Sequence, residues 1–155
     1  MPIARQAVAV GALITEAVDL AGSLAITGQV RLRSESAADL PKAWADPAIV
    51  LRVLQNLVGN AVKFTPLGGD VDIQARLAND GERIEVSVRD TGPGIPEELC
   101  GRLFTKFATA RQKGCGSGLG LAFCRLAIEA HGDRIWAENR SGGGAVFVFT
   151  LGVAP

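Results

Sequence analysis

The chain has 155 residues, 48% of them hydrophobic, and its 16 Lys and Arg balance 16 Asp and Glu. That length and apolar share describe one domain with a core of its own. The zero net charge removes any overall pull toward nucleic acid or an anionic membrane. Cys100, Cys115 and Cys124 form no CxxC pair, and a single histidine leaves a zinc site short of ligands. The three read as reduced thiols of a cytoplasmic protein.

Near the start, Arg5 and the apolar Ala7–Ile14 imitate a signal peptide, but the pattern continues as an amphipathic helix. Glu16 and Asp19 interrupt it before it reaches the roughly 18 apolar residues of a membrane span. Leu13, Ala17, Leu20 and Leu24 recur at helical spacing and predict a first helix over about 11–26, ended by Gly28. Val30, Leu32 and Ser34 alternate with Arg31 and Arg33 as a short strand, and Ala43–Ala45 reads as another.

Asp46 as N-cap and Pro47 as first helical residue open a second helix that runs to about Phe64. Val50, Leu54, Leu57, Val58 and Ala61 form its apolar face, and Arg52, Asn56, Asn60 and Lys63 cluster opposite. That polar stripe has two readings. It is a solvated face, or it is a ligand face in which an amide oxygen suits Mg²⁺ and a lysine suits phosphate. Asparagine is a poor helix-interior residue, so two of them four apart ask for a reason.

Val71, Ile73, Ala75 and Leu77 alternate as a strand, Asn79-Asp80-Gly81 marks a hairpin turn, and Ile84–Asp90 is the antiparallel partner. Asp90 has the parity of Ile84, Val86 and Val88, which aims a carboxylate at the interior, where it needs a donor. Thr91-Gly92-Pro93-Gly94-Ile95-Pro96 follows. A buried acceptor beside a glycine-permitted gap suits the exocyclic amine of adenine, whereas the carbonyl of guanine would repel it. The alternative is a tight turn in which the aspartate caps its own backbone.

Glu97–Phe104 predicts a short helix, and Thr105–Gly116, with Arg111, Lys113 and an exposed Cys115, reads as a mobile loop. Gly116-Ser117-Gly118-Leu119-Gly120-Leu121 leads into a helix carrying Leu119, Phe123, Leu126 and Ala130. Glycines before a helix N-terminus make an anion site. The cluster does not follow a strand and lacks a GK[ST] ending, so dinucleotide and P-loop readings fit poorly. His131-Gly132 closes this helix. His131 reads as a helix-end residue interacting with the dipole rather than as a base or phosphoacceptor. Arg134–Glu138 and Ala145–Leu151 are the last strands, and the last is apolar on both faces, which predicts a central place in the sheet.

Taken together, these stretches resemble the catalytic ATP-binding domain of sensor histidine kinases, part of the superfamily shared with DNA gyrase, ATPase chaperones and the mismatch-repair MutL proteins. Residues 54–66 (LQNLVGNAVKFTP) resemble the N box and residues 90–96 (DTGPGIP) the first glycine box. Residues 103–107 resemble the phenylalanine box, 116–121 the second glycine box, and 142–147 a looser closing glycine motif. The resemblance covers nearly the whole chain. It implies an α/β fold: a two-layer Bergerat-type sandwich, with a mixed sheet of about five strands covered by about three helices on one face. Residues 1–155 form one domain, with an ATP lid over about 105–118.

Carried over position by position, Asp90 would accept from the adenine amine and Asn60 would ligate Mg²⁺ bridging the phosphates. Asn56 and Lys63 would reach the phosphates, making Asn56, Asn60 and Lys63 the catalytic set. Gly92 and Gly94 would admit the base. Gly116, Gly118 and Gly120 would shape the lid and present N–H groups to the phosphate tail. Ile95, Phe107, Ser117 and Leu119 complete the expected nucleotide-binding set, and Phe104 and Phe107 would pack the base of the lid. The gyrase-like ATPases carry a water-activating glutamate where Asn56 stands. An amide cannot act as that base, so hydrolysis should be slow and ATP held for a protein nucleophile.

The phosphoacceptor motif, a histidine followed by an acid within a long helix, is absent. The implied partners are therefore a dimerisation and phosphoacceptor domain outside this chain and a downstream response regulator, with no nucleic acid and no direct membrane insertion. The isolated domain is expected to be a monomer that binds ATP without autophosphorylating; the full-length protein could be membrane-anchored. Two other readings stand: an anti-sigma-factor-type serine kinase, and a non-catalytic ATP-binding pseudokinase module.

Overall fold

The computed structural model describes residues 1–106 and 119–155. Its central sheet has five strands in the order β2 (Arg31–Ser36), β4 (Asp70–Leu77), β5 (Arg83–Asp90), β7 (Ala145–Gly152), β6 (Ile135–Asn139). β2 and β4 run parallel and the other pairs antiparallel, so the sheet is mixed, as expected. β7 lies inside it, as its two apolar faces require. A small ribbon of β1 (Gln6–Val8) and β3 (Ala43–Ala45) stands beside it; β1 was not anticipated.

Strand register sorts the side chains. Ile73, Ala75, Ile84, Val86, Val88, Phe149 and Leu151 face the helices and are buried. Asp72, Gln74, Arg76, Glu85 and Arg89 alternate onto the opposite, polar face. The helical layer consists of α1 (Val10–Leu20), α2 (Gly22–Gly28), α3 (Pro47–Phe64) and α4 (Gly120–Ala130). α3 lies in its middle. Asp46 Oδ1 accepts from the Ala48 and Ile49 N–H groups at 3.1 and 3.3 Å, and Pro47 opens the first turn. Val50, Leu54, Leu57, Val58 and Ala61 are buried as predicted.

Three expectations change. The first helix is two helices, bent by 49°. α1 buries Val10, Leu13, Ile14 and Ala17, while Leu20 and Leu24 are exposed. α2 turns away to deliver the chain to β2. It closes in a Schellman motif whose left-handed position is Gln29 (φ 52°) rather than Gly28, with Val30 N–H donating to Ala25 O at 2.9 Å. Second, only Glu97–Leu99 forms a 3₁₀ turn where a helix to Phe104 was predicted; Gly101 at φ 92° cannot continue it.

Third, α4 buries Leu121, Ala122, Cys124, Ala127 and Ile128, and leaves Leu119 and Leu126 exposed. Its two faces are similarly apolar, and the one with small residues faces inward because α4 lies close to α3. Cys124 Sγ is 3.8 Å from Val53 O, and burial pushes this thiol up to about 12. Cys100 and Cys124 are free; Cys115 falls outside the described residues.

Gly132 is the C′ residue of α4, as expected (φ 77°). His131 does more than face the helix dipole. It is buried, its Nδ1 donates to Ala127 O at 2.7 Å, and its Nε2 accepts the Asp46 N–H at 3.1 Å. The imidazole is thus a bracket joining the end of α4 to the start of α3. Among the described residues no single helix is long and apolar enough to cross a membrane.

Candidate functional site

The site is built where the C-terminal end of β5 meets the C-terminal end of α3. Asp90 is 5% exposed. Its Oδ1 accepts from Gly92 N–H at 2.9 Å and Ala145 N–H at 3.3 Å. Among the described residues no donor reaches Oδ2, and none of their fully buried side-chain oxygens lacks a partner, so Oδ2 retains some exposure. Desolvation raises the Asp90 pKa above the usual carboxylate value; the two N–H donors and the Arg140 guanidinium oppose that rise.

The glycines set how closely other backbone approaches. A Cβ at Gly92 would lie 2.8 Å from Phe64 O, the last residue of α3. Gly94 has φ 86°, and a Cβ there would lie 2.6 Å from Asn139 Oδ1. Asn139 holds the loop at Ile95 from both sides: Ile95 N–H donates to its Oδ1 at 2.6 Å, and its Nδ2 donates to Ile95 O at 3.3 Å. Arg140 Nη1 donates to Asp90 O at 2.9 Å. Gly144 packs against that same carbonyl so closely that a Cβ would overlap it.

From this loop α3 runs back past Lys63, Asn60 and Asn56. At 1.5 Å per residue, Phe64 and Asn56 are about 12 Å apart along the axis. Lys63 is exposed and forms no ion pair among the described residues. Asn60 is half-buried, and its side chain makes no hydrogen bond among the described residues. Asn56 Nδ2 donates to Arg52 O at 2.9 Å, while its Oδ1 packs on Gly120, where a Cβ would sit 2.6 Å away. The N-cap Leu119 contributes no side-chain cap to α4. α3 therefore joins the Asp90 loop at one end to the α4 N-terminus near the other, with Lys63 and the Asn60 amide between.

The structure thus brings Asp90, Gly92, Gly94 and Ile95 together at one end of the stripe, and Asn56 and Gly120 at the other; Leu119 directly precedes α4. Phe107, Gly116, Ser117 and Gly118, and the expected lid from residue 107 on, lie outside the described residues. Sequence reasoning missed Asn139 and Arg140. The triple glycine at 142–144 pointed to the turn they flank, but nothing in the pattern named the two side chains.

A divalent cation fits what is present only as one held jointly with phosphate. No group of three or more His, Cys, Asp or Glu among the described residues could hold a metal, but the half-buried Asn60, on the same stripe of α3 as Asn56 and Lys63, carries an amide oxygen, a hard ligand of the right kind.

A mixed sheet with helices on one face and a glycine loop beside an inward aspartate at its mouth defines a two-layer α/β nucleotide-binding class. Residues 45–155 match the model of the family described as Histidine kinase-, DNA gyrase B-, and HSP90-like ATPase, and the chain belongs to that family. It is similar to the adaptive-response sensory kinase SasA of Parasynechococcus marenigrum, with 41% identity over 79% of this chain and 32% of that protein. Among solved structures it superposes on the catalytic domain of the histidine kinase ThkA in a nucleotide-free form (TM-score 0.86, 32% identity, 99% of this chain and 100% of that one). It also superposes on full-length ShkA in complex with AMPPNP (TM-score 0.87, 31% identity, 99% and 32%). A further match is ThkA in complex with the response regulator TrrA (TM-score 0.80, 31% identity, 97% and 42%). The chain spans about a third of the curated relatives it matches.

Proposed function

We propose that this chain is the ATP-binding catalytic domain of a two-component sensor kinase, which passes the γ-phosphate of ATP to a histidine on a separate dimerisation domain. The observation that carries the reading is Asp90, a nearly buried carboxylate whose Oδ1 is taken by two backbone donors and whose Oδ2 takes none from the described residues. That geometry suits one amine donor and rejects a carbonyl. Relatives that are sensor kinases at 41% and 32% identity support histidine over serine as acceptor. ShkA binding an ATP analogue supports the nucleotide, and the ThkA–TrrA complex supports a response regulator downstream.

In this reading Asp90 and Gly92 orient the base, and Lys63 neutralises phosphate charge at the exposed end of α3. Asn60 would hold Mg²⁺, which supplies charge neutralisation between the phosphates when bound. Asn56 has an amide and cannot take a proton from water, so the site protects ATP from hydrolysis and leaves it for an incoming imidazole. Catalysis is then a matter of position and charge rather than of proton transfer by this chain. Use of ATP places the domain on the cytoplasmic side of the cell.

The test is calorimetric titration of ATP with Mg²⁺ into the wild type, Asp90→Ala and Asn60→Ala, with GTP as control, followed by transfer to a supplied dimerisation domain. ATP binding lost in Asp90→Ala and weakened in Asn60→Ala, with GTP ignored, is expected. ATP binding with no transfer to any supplied acceptor would overturn the kinase reading in favour of a pseudokinase module.

A further inference from the structure

Among the described residues β6 is an edge of the sheet, paired with β7 alone. The ladder fixes which of its backbone groups are used. Thr150 N–H donates to Arg134 O at 3.0 Å and Arg140 N–H to Gly144 O at 2.8 Å. In an antiparallel pair the bonding residues alternate, so residues 134, 136, 138 and 140 face β7. The N–H and C=O groups of Ile135, Ala137 and Asn139 therefore point to the open edge, and among the described residues no backbone bond engages them. A groove of about 470 Å³ runs along this edge, between Ile135, Ala137 and Asn139 on the strand and Phe104, Arg125 and Glu129 opposite. It shares Ile95 and Asn139 with the Asp90 loop but is separate from the Asp90 site.

The side chains of Arg134, Trp136 and Glu138 alternate onto the polar face of the sheet. The Arg134 guanidinium lies over the Trp136 ring at 5.2 Å. Among the described residues neither Arg134 nor Glu138 has an ion-pair partner. At the other edge of the sheet, by contrast, Arg31 and Arg33 both reach Asp70 of their own chain, at 2.6 and 3.7 Å.

This arrangement is complementary to itself. A two-fold axis at Trp136 lays a second β6 antiparallel along the first. Trp136 then meets its own counterpart, Arg134 meets Glu138 of the second copy, and Ile135 meets Ala137 of the second copy. Parity is also satisfied: Ile135 and Ala137 are the residues with outward groups, so each of these pairs can exchange both N–H···O bonds. The register is selective. Sliding by two residues one way sets Arg134 against Arg140, and the other way sets Glu138 against Gly132.

We propose that β6 is a homotypic docking edge, through which two copies of this chain join their sheets in an isologous, two-fold contact. Unpaired edges are ready templates for another strand, and cross-strand opposite charges stabilise a pair that like charges disfavour. The expected contact is transient, because a single short strand from each copy buries little surface. It stands in place of the monomer expected for the isolated domain.

The test is sedimentation equilibrium of the whole chain over a concentration series. The wild type should show a reversible monomer–dimer equilibrium. Arg134→Glu and Glu138→Arg should each weaken it by about tenfold or more, since each replaces attraction by repulsion at two symmetric places. The double charge swap should restore it to within a few-fold of wild type. Ala137→Pro removes an outward N–H without touching the β7 ladder and should abolish it; circular dichroism reports whether that variant folds, and the charge swap decides if it does not. A wild type that stays monomeric at all concentrations would overturn the proposal, as would a dimer indifferent to the two single charge variants. A monomer in which an added extended peptide protects the Ile135 and Ala137 amides from exchange would overturn it in favour of a foreign strand.

Discussion

Gly142 and Gly144 lie in the same turn at nearly the same backbone angle, φ 90° and 86°, yet alanine should be tolerated at one and not the other. At Gly142 a Cβ meets nothing within 4 Å, so Gly142→Ala costs only the left-handed conformation, about 1–2 kcal/mol. At Gly144 a Cβ would overlap the Asp90 carbonyl oxygen and lie 3.0 Å from the carbonyl carbon. The turn must back away from Asp90. That breaks the Arg140 bond to Asp90 O and the Ala145 N–H bond to Asp90 Oδ1, each worth about 1 kcal/mol. Gly144→Ala should therefore cost roughly 3–4 kcal/mol, the conformational term plus two lost bonds. The adenine acceptor moves too, so ATP affinity should drop about tenfold or more, the equivalent of about 1.4 kcal/mol. Urea unfolding of both variants, with unchanged slopes, gives the stability difference, and calorimetry gives ATP affinity. Equal stabilities for the two variants, or full ATP affinity in Gly144→Ala, would refute the reasoning.

Desolvation raises the Asp90 pKa, so its protonation on acidification begins above the usual carboxylate range. ATP affinity should fall as pH drops through that raised value, and Arg140→Met should move the midpoint higher still, because the guanidinium favours the charged form. A midpoint unmoved by Arg140→Met would refute this. For stability the sign is opposite. The folded pKa lies above the unfolded one, so this group's stabilising contribution is present below the unfolded pKa and lost as pH rises through the folded value. His131→Ala leaves the Asp46 N–H and the Ala127 carbonyl without the imidazole, at about 2–4 kcal/mol, and should lower Tm by roughly 5–15 °C. Phosphotransfer to a supplied acceptor, assayed well below that Tm, should persist; its loss with Tm unchanged would make His131 part of the chemistry.

α3 was legible to the residue because two independent signals agree on it: the Asp46-Pro47 start and a clean apolar face from Val50 to Ala61. The inward Asp90 was legible because strand parity is strict. The inner face of α4 was not. Leu119, Phe123, Leu126 and Ala130 form as good a stripe as the buried set, and only the closeness of α3 selects Ala122, Cys124 and Ala127. The bend after Leu20 was missed because helical periodicity continues across it, although the packing does not. Asn139 and Arg140 act on Ile95 and Asp90 across 44 and 50 residues of chain, a relation fixed by the β5–β7–β6 register and invisible to local pattern.

The His131 bracket also decides what a labelling experiment can detect. The chain has one histidine, and both of its ring nitrogens are committed inside the fold, one to Ala127 O and the other to the Asp46 N–H. The folded domain therefore offers no imidazole nitrogen to a phosphoryl donor. In a mixture of this chain, labelled ATP and a separate acceptor domain, acid-labile, alkali-stable phosphate marks the acceptor alone, and the domain serves as its own blank.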